Sequence, residues 1–195
     1  MQKHARLGRK GCALGEISKK LFPVKKRKSA WPGAKAKIDW LKLAGFVAVC
    51  ELAGVVGSIF TNSSSSAWYA SLSKPFFTPA AWLFAPVWIS LYAIMGIAAY
   101  LVFQKEGKQG DILGALKIFA VQLMLNALWS IMFFGMRSLL YSLICIIALW
   151  FFILLCIWKF YKVKKEAAYL MLPYLLWVSF AALLNMVLWM LNMHS

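Results

Sequence analysis

This sequence predicts an all-α integral membrane protein, a bundle of five transmembrane helices with its N-terminus on the cytoplasmic side. Three observations carry that expectation. The 195-residue chain is 63% hydrophobic and only 14% charged, whereas soluble domains run nearer half apolar and a quarter charged. Its apolar residues fall in five long blocks instead of alternating with polar ones. Its basic residues gather at the connections on one side of those blocks.

A helix rises about 1.5 Å per residue, so about 20 apolar residues cross a hydrocarbon core of about 30 Å. By that measure the spans are Lys42–Phe60, Ala80–Phe103, Ile112–Phe134, Leu139–Trp158 and Ala167–Leu191. The chain divides into a basic extension, residues 1–40, and a membrane domain, residues 41–195. The extension has no apolar run long enough for a signal-peptide core. Leu14, Ile17 and Leu21 share one helical face beside Lys19 and Lys20, which fits a short interfacial helix. The cluster Lys25-Lys26-Arg27-Lys28 would then meet anionic headgroups. A solvated tail and a basic organellar presequence fit the same composition.

The net charge of +16 raises the question of nucleic acid, but its distribution answers with topology. Residues 1–40, 104–111 and 159–166 together hold eighteen Lys and Arg, against two, Lys74 and Arg137, in the connections on the other side. That asymmetry is the positive-inside signature, and with five spans it places the N-terminus inside. No nucleic-acid partner is expected; membrane lipid is.

The connection Thr61–Pro79 is long, Ser-rich at first and then aromatic and proline-punctuated (Trp68-Tyr69, Lys74-Pro75, Phe76-Phe77). Such a loop suits a lid over the bundle mouth. The other connections are short, so neighbouring spans pack antiparallel.

Polar residues inside spans are costly and face the bundle interior. In the first span Glu51, Gly54 and Ser58 share a stripe, which either lines a pocket or lets helices approach closely. The second carries Trp88, Tyr92 and Met95-Gly96. The third carries Gln122, Asn126 and Trp129 at i, i+4 and i+7. The fifth carries Trp177, Ala181, Asn185 and Trp189 at steps of four. Three helices thus each offer an indole with an amide or hydroxyl, a lining suited to a planar, mostly apolar ligand. Packing alone is the competing reading for any single Trp.

The residues exclude several chemistries. No Ser–His–Asp set, carboxylate pair or phosphate loop occurs. His4 and His194 stand at opposite ends, and Cys12, Cys50, Cys145 and Cys156 lack ligand spacing. No catalytic residue, metal or cofactor is expected. No repeat or filter-like loop points to an inverted-repeat transporter or a channel.

Ordered motifs spread over residues 53–192 resemble the TspO/MBR family of tryptophan-rich sensory and translocator proteins. They are Trp68-Tyr69-Ala70 with Lys74-Pro75, and Pro86-Val87-Trp88 with Leu91-Tyr92 and Met95-Gly96. Gln122, Leu125-Asn126 and Trp129 follow, then Phe133-Phe134-Gly135 with Arg137. Pro173-Tyr174-Leu175, Trp177, Phe180-Ala181, Leu184-Asn185 and Trp189 complete the series. The resemblance implies a five-helix fold, often a homodimer, with a pocket beneath the first loop for porphyrins such as protoporphyrin IX or haem. Carried over, Trp88, Trp129, Trp177, Ala181, Leu184 and Asn185 would line that pocket and Trp68 would cover it; Tyr92 and Asn126 join them from the stripes.

The sequence also departs from the family pattern. Phe77 stands where the family loop has a Trp, and Ala80 where it has a second Pro. Met186 and Met190 occupy the positions of the Tyr and Arg that animal members use for cholesterol. A loose sterol pattern survives at Leu155, Tyr161 and Lys164.

The implied function is a porphyrin-binding membrane receptor, sensor or transporter. The alternatives are light- and oxygen-dependent porphyrin degradation, with Trp88 and Trp177 as the oxidisable residues, and a sterol- or lipid-binding or dimeric interaction protein. Gly110 and Gly114 form a GxxxG at the start of the third span. A bacterial cytoplasmic membrane is the expected location, with the mitochondrial outer membrane as alternative.

Overall fold

Each apolar block forms a helix long enough to cross a bilayer, because in hydrocarbon the backbone must satisfy its own hydrogen bonds. The computed structural model describes residues 38–60 and 63–193. The proposed interfacial helix at Leu14–Leu21, Cys12 and both histidines lie outside them. In chain order the helices are α1 (Trp40–Ile59), α2 (Ser63–Ser71), α3 (Ala81–Phe103) and α4 (Gln109–Ser130). A π-helical turn, Ile131–Gly135, leads into α5 (Leu139–Val163), α6 (Lys165–Leu170) and α7 (Leu172–Asn192). Five spans result, the last built from α6 and α7 together.

The sequence explains where these elements start and break. Asp39 caps α1: its Oδ1 accepts the Lys42 backbone N–H at 3.2 Å and its Oδ2 lies 2.9 Å from Lys42 Nζ. Hydrogen bonding to Lys42 holds the Asp39 carboxyl below its usual range. The Asp39 N–H donates to the Tyr100 hydroxyl at 2.8 Å, fastening the start of α1 to the last turn of α3. Ser138 caps α5 through the Tyr141 N–H. The fifth span breaks at Met171 because Pro173 has no N–H to continue the ladder.

Around the bundle α1 packs on α3, α3 on α6 and α7, α7 on α5, α5 on α4, and α4 back on α1. This closed ring turns one face of each span inward. Cys50 and Gly57 are the buried residues of α1, so that helix is the most peripheral. Outward faces carry Val49, Leu52, Ile89, Ile144 and Phe151, exposed as lipid-facing side chains should be.

Glycines set the closeness of α1. A Cβ on Gly96 would fall 2.6 Å from Val47 Cα, so α1 and α3 touch backbone to backbone there. Gly54 lies against the Tyr92 ring, and Gly57 offers its carbonyl to Ser130 Oγ at 2.9 Å. The stripe read from Glu51 is therefore a packing stripe. Glu51 itself is half-exposed, and Ser58 faces outward with its hydroxyl on the Val55 carbonyl.

Gly96→Ala should wedge α1 from α3 and cost about 1–3 kcal/mol, the usual penalty for overpacking. Gly45→Ala, where an added Cβ meets nothing within 4 Å, should leave stability unchanged or raise it slightly. Unfolding of the purified protein in mixed micelles with a denaturing detergent measures both, and equal losses would contradict the close contact.

Candidate functional site

The inward faces of α3, α4, α5 and α7 carry polar side chains that pair with one another. The Tyr92 hydroxyl on α3 donates to Asn126 Oδ1 on α4, and Asn126 Nδ2 donates to the Tyr174 hydroxyl on α7 at 2.9 Å. A second pin is centred on Asn185. Its Oδ1 accepts from the Trp129 indole N–H at 3.4 Å and the Ser142 hydroxyl at 2.9 Å. Its Nδ2 donates to the Leu139 carbonyl at 2.9 Å. Asn126, Ser142 and Asn185 are all buried. Gln122, also buried, is the exception: among the described residues neither of its amide atoms has a partner.

On these pins stands a ladder of rings. Trp88 stacks on Tyr92, centroids 5.5 Å apart and planes 28° from parallel. Trp129 follows at 6.3 Å from Trp88, then Phe133 at 5.4 Å from Trp129. Trp68 of α2 meets Phe133 edge-on at 5.7 Å. The ladder thus runs from the polar pins to the covering helix. The π turn makes its upper rung: the Met136 N–H reaches back five residues to Ile131 O at 2.8 Å, and this wider turn presents Phe133 and Phe134 together to α2.

Trp177 belongs to a different group. Its ring neighbours are Phe84 at 6.0 Å and Phe180 at 5.8 Å, and Phe180 meets Phe77 of the covering loop at 6.4 Å. Four-residue steps overshoot a 3.6-residue turn by about 40° each, so the stripe Trp177, Ala181, Asn185, Trp189 winds around α7. Asn185 and Leu184 are buried, Ala181 and Trp177 half-buried. The structure therefore joins Trp68, Trp88, Tyr92, Asn126, Trp129 and Asn185 in one connected set and leaves Trp177 beside it with Phe77, the loop residue that replaces a family Trp.

Three members of the site were not singled out from the spans. Phe133 continues the stripe Gln122, Asn126, Trp129 at i+11, and Tyr174 lies three turns before Asn185, so periodicity extended by one turn reaches both. Ser142 has no such signal; a single serine in an apolar span is unremarkable until Asn185 is found opposite it.

The connection over this end is also tied down. The Ser73 N–H donates to Asn192 Oδ1 at 2.9 Å, and Asn192 Nδ2 donates to the Ser73 carbonyl at 3.0 Å. Lys74 Nζ binds the carbonyls of Ala70 and Leu72 and lies 5.0 Å from the Tyr69 ring centre. Partial burial of Tyr69 raises its phenol above the usual range. Among the described residues no three His, Cys, Asp or Glu side chains come together, and Cys50, Cys145 and Cys156 are buried free thiols.

Known proteins share this arrangement of sequence. The TspO/MBR family pattern matches residues 46–190. The tryptophan-rich protein TspO of Chlorobaculum tepidum is 43% identical over 152 residues, 78% of this chain and 96% of that protein. The tryptophan-rich sensory protein of Cereibacter sphaeroides is 35% identical, with 80% of this chain and 94% of its own covered. The translocator protein of Bos taurus is 33% identical, with 78% and 91% covered. The match spans all five membrane helices and every rung of the aromatic ladder, and the chain is an integral membrane protein of the TspO/MBR family.

Proposed function

We propose that the protein is a membrane receptor, sensor or transporter that binds a porphyrin, protoporphyrin IX or haem, against the ring ladder. The observation that carries this reading is the run Tyr92–Trp88–Trp129–Phe133–Trp68 seated on the Asn126 and Asn185 pins. Broad indole faces give a planar apolar ligand its contact area, while fixed amides and hydroxyls orient it. Family membership adds support, since two of the relatives carry the name tryptophan-rich protein.

One observation favours a second reading, light- and oxygen-dependent porphyrin breakdown. Trp88 stacks on the oxidisable ring of Tyr92. Its indole would lend one electron to a photoexcited porphyrin, and dioxygen would add to the resulting porphyrin radical anion. Return of one electron from the adduct to the indole radical cation would leave a dioxygenated macrocycle and an unchanged Trp88. No acid–base residue is needed for that step.

The charge asymmetry supports an orientation with residues 104–111 and 159–166 on the cytoplasmic side. A cysteine replacing Lys108 should then react with an impermeant maleimide only after the cytoplasmic face is opened; labelling from the outside of sealed cells reverses the orientation.

Titration with protoporphyrin IX in lipid nanodiscs should quench tryptophan fluorescence saturably. Trp88→Ala and Trp129→Ala should each weaken binding about tenfold or more, as expected when an aromatic stacking partner is lost at a binding hot spot. Quenching that never saturates, or is untouched by both substitutions, would sink the reading. Illuminating the same samples in air separates binding from breakdown: loss of porphyrin absorbance that requires Trp88 identifies the protein as the agent.

A further inference from the structure

The hairpin that joins the fourth and fifth spans combines exposed rings with cations, at the end of the bundle away from Trp68. α5 ends at Val163, Lys164 is the single extended residue between the helices, and α6 starts at Lys165. Both helices belong to membrane spans, so the hairpin sits where the bundle meets a membrane surface. α5 turns Ile153, Cys156 and Phe160 into the core. Its other face carries Phe151, Leu155, Trp158 and Lys162 at steps of three or four, all exposed. That stripe therefore passes from apolar side chains to an indole and then to a charge. Tyr161 of α5 meets Tyr169 of α6 edge-on at 6.4 Å across the hairpin, and both rings are exposed.

The cations are seated on these rings. Lys162 Nζ lies 3.5 Å from the centre of the Trp158 ring and Lys159 Nζ 5.2 Å from it, so two ammoniums converge on one indole. Lys165 Nζ lies 5.3 Å from the Tyr161 ring centre. A ring face restrains an ammonium without neutralising it, and leaves N–H donors free. The hairpin holds four lysines, Lys159, Lys162, Lys164 and Lys165, against one acid, Glu166. Among the described residues none of the four forms an ion pair. Their charge is positioned but not answered.

We infer that this hairpin binds the headgroup of an anionic phospholipid, with its phosphate among Lys159, Lys162 and Lys165 and its acyl chains along Phe151 and Leu155. Two features choose a lipid over a soluble phosphate. The rings beside the lysines are of the kind that meet headgroups and acyl chains at interfacial depth. The apolar stripe continues from them along the same face of α5, so one molecule with a charged head and an apolar tail satisfies both. The sterol pattern Leu155, Tyr161, Lys164 overlaps this patch, but a neutral sterol hydroxyl would leave the lysines unanswered.

Phosphatidylglycerol brominated in its acyl chains quenches tryptophan on contact, and brominated phosphatidylcholine is its zwitterionic counterpart. Each is titrated into phosphatidylcholine nanodiscs holding the full chain, with the Trp158→Phe protein supplying the background to subtract. Trp158 should be quenched by the anionic lipid at a mole fraction about tenfold lower. Lys162→Gln should lower that preference about fivefold, near the value of one basic residue at a membrane surface, and Lys162→Arg should keep it. Lys159→Gln with Lys162→Gln should abolish it. Lys105→Gln with Lys108→Gln removes equal charge from the connection between α3 and α4, at the same end of the bundle and without ring contacts, and should leave the preference intact. The Trp88 and Trp129 indole resonances should be unchanged in every variant, which reports an intact fold. Equal quenching by the two lipids, the same loss in both double variants, or displacement of the lipid by soluble glycerol phosphate would overturn the inference.

Discussion

The lack of water inside a bilayer is the constraint on which the rest of this structure depends. An amide or hydroxyl placed there has only other protein groups to satisfy it, and leaving it unpaired costs several times what a surface hydrogen bond is worth. Tyr92, Asn126 and Tyr174 answer by joining α3, α4 and α7, and Asn185 answers by joining α7 to Trp129 of α4 and to Ser142 and Leu139 of α5. Apolar packing between helices in lipid discriminates little between one rotation and another. These pins do discriminate, because turning any of the four helices by one residue strands a donor.

That choice of rotation is what places the rings. Trp88 precedes Tyr92 by one turn on α3, and Trp129 follows Asn126 on α4, so fixing the two polar residues brings the two indoles into a tilted contact, centroids 6.3 Å apart. The π turn then shifts the register of α4 enough to set Phe133 under α2. α1 contributes closeness instead of polarity, through Gly54 on Tyr92 and Gly96 on the Val47 backbone. The amides that hold the bundle together thus also set the rings on which the proposed function rests.

Much of this was legible in the sequence, and the parts that were not have physical reasons. Span existence follows from block hydropathy, and the structure moves their ends by only a few residues, mostly by extending α4 and α5 into polar flanks. Trp88 with Tyr92, and Asn126 with Trp129, group from sequence because residues at i, i+4 and i, i+3 spacing stay on one helical face. Steps of four put Trp177 in a stripe with Asn185, and the drift of those steps sets its ring against Phe84 and Phe180. Composition alone makes the α2 segment a loop, because Ser63–Ser66 looks like a linker; its helix holds Trp68 and Tyr69 against the π turn, a long-range contact that local composition does not show. The π turn and the break at Met171 are likewise set by tertiary packing and by one proline.

The central claim is that the buried amides hold the indoles in place. Indole N–H resonances of the ligand-free protein, assigned by single Trp→Phe substitutions, test it most directly. In Asn126→Leu the Trp88 and Trp129 signals should shift and broaden, while Trp158, exposed at the far end of α5 beside Lys162, should stay where it is. Unchanged Trp88 and Trp129 signals in a folded Asn126→Leu protein would contradict the account, for the ring ladder would then stand without its pins.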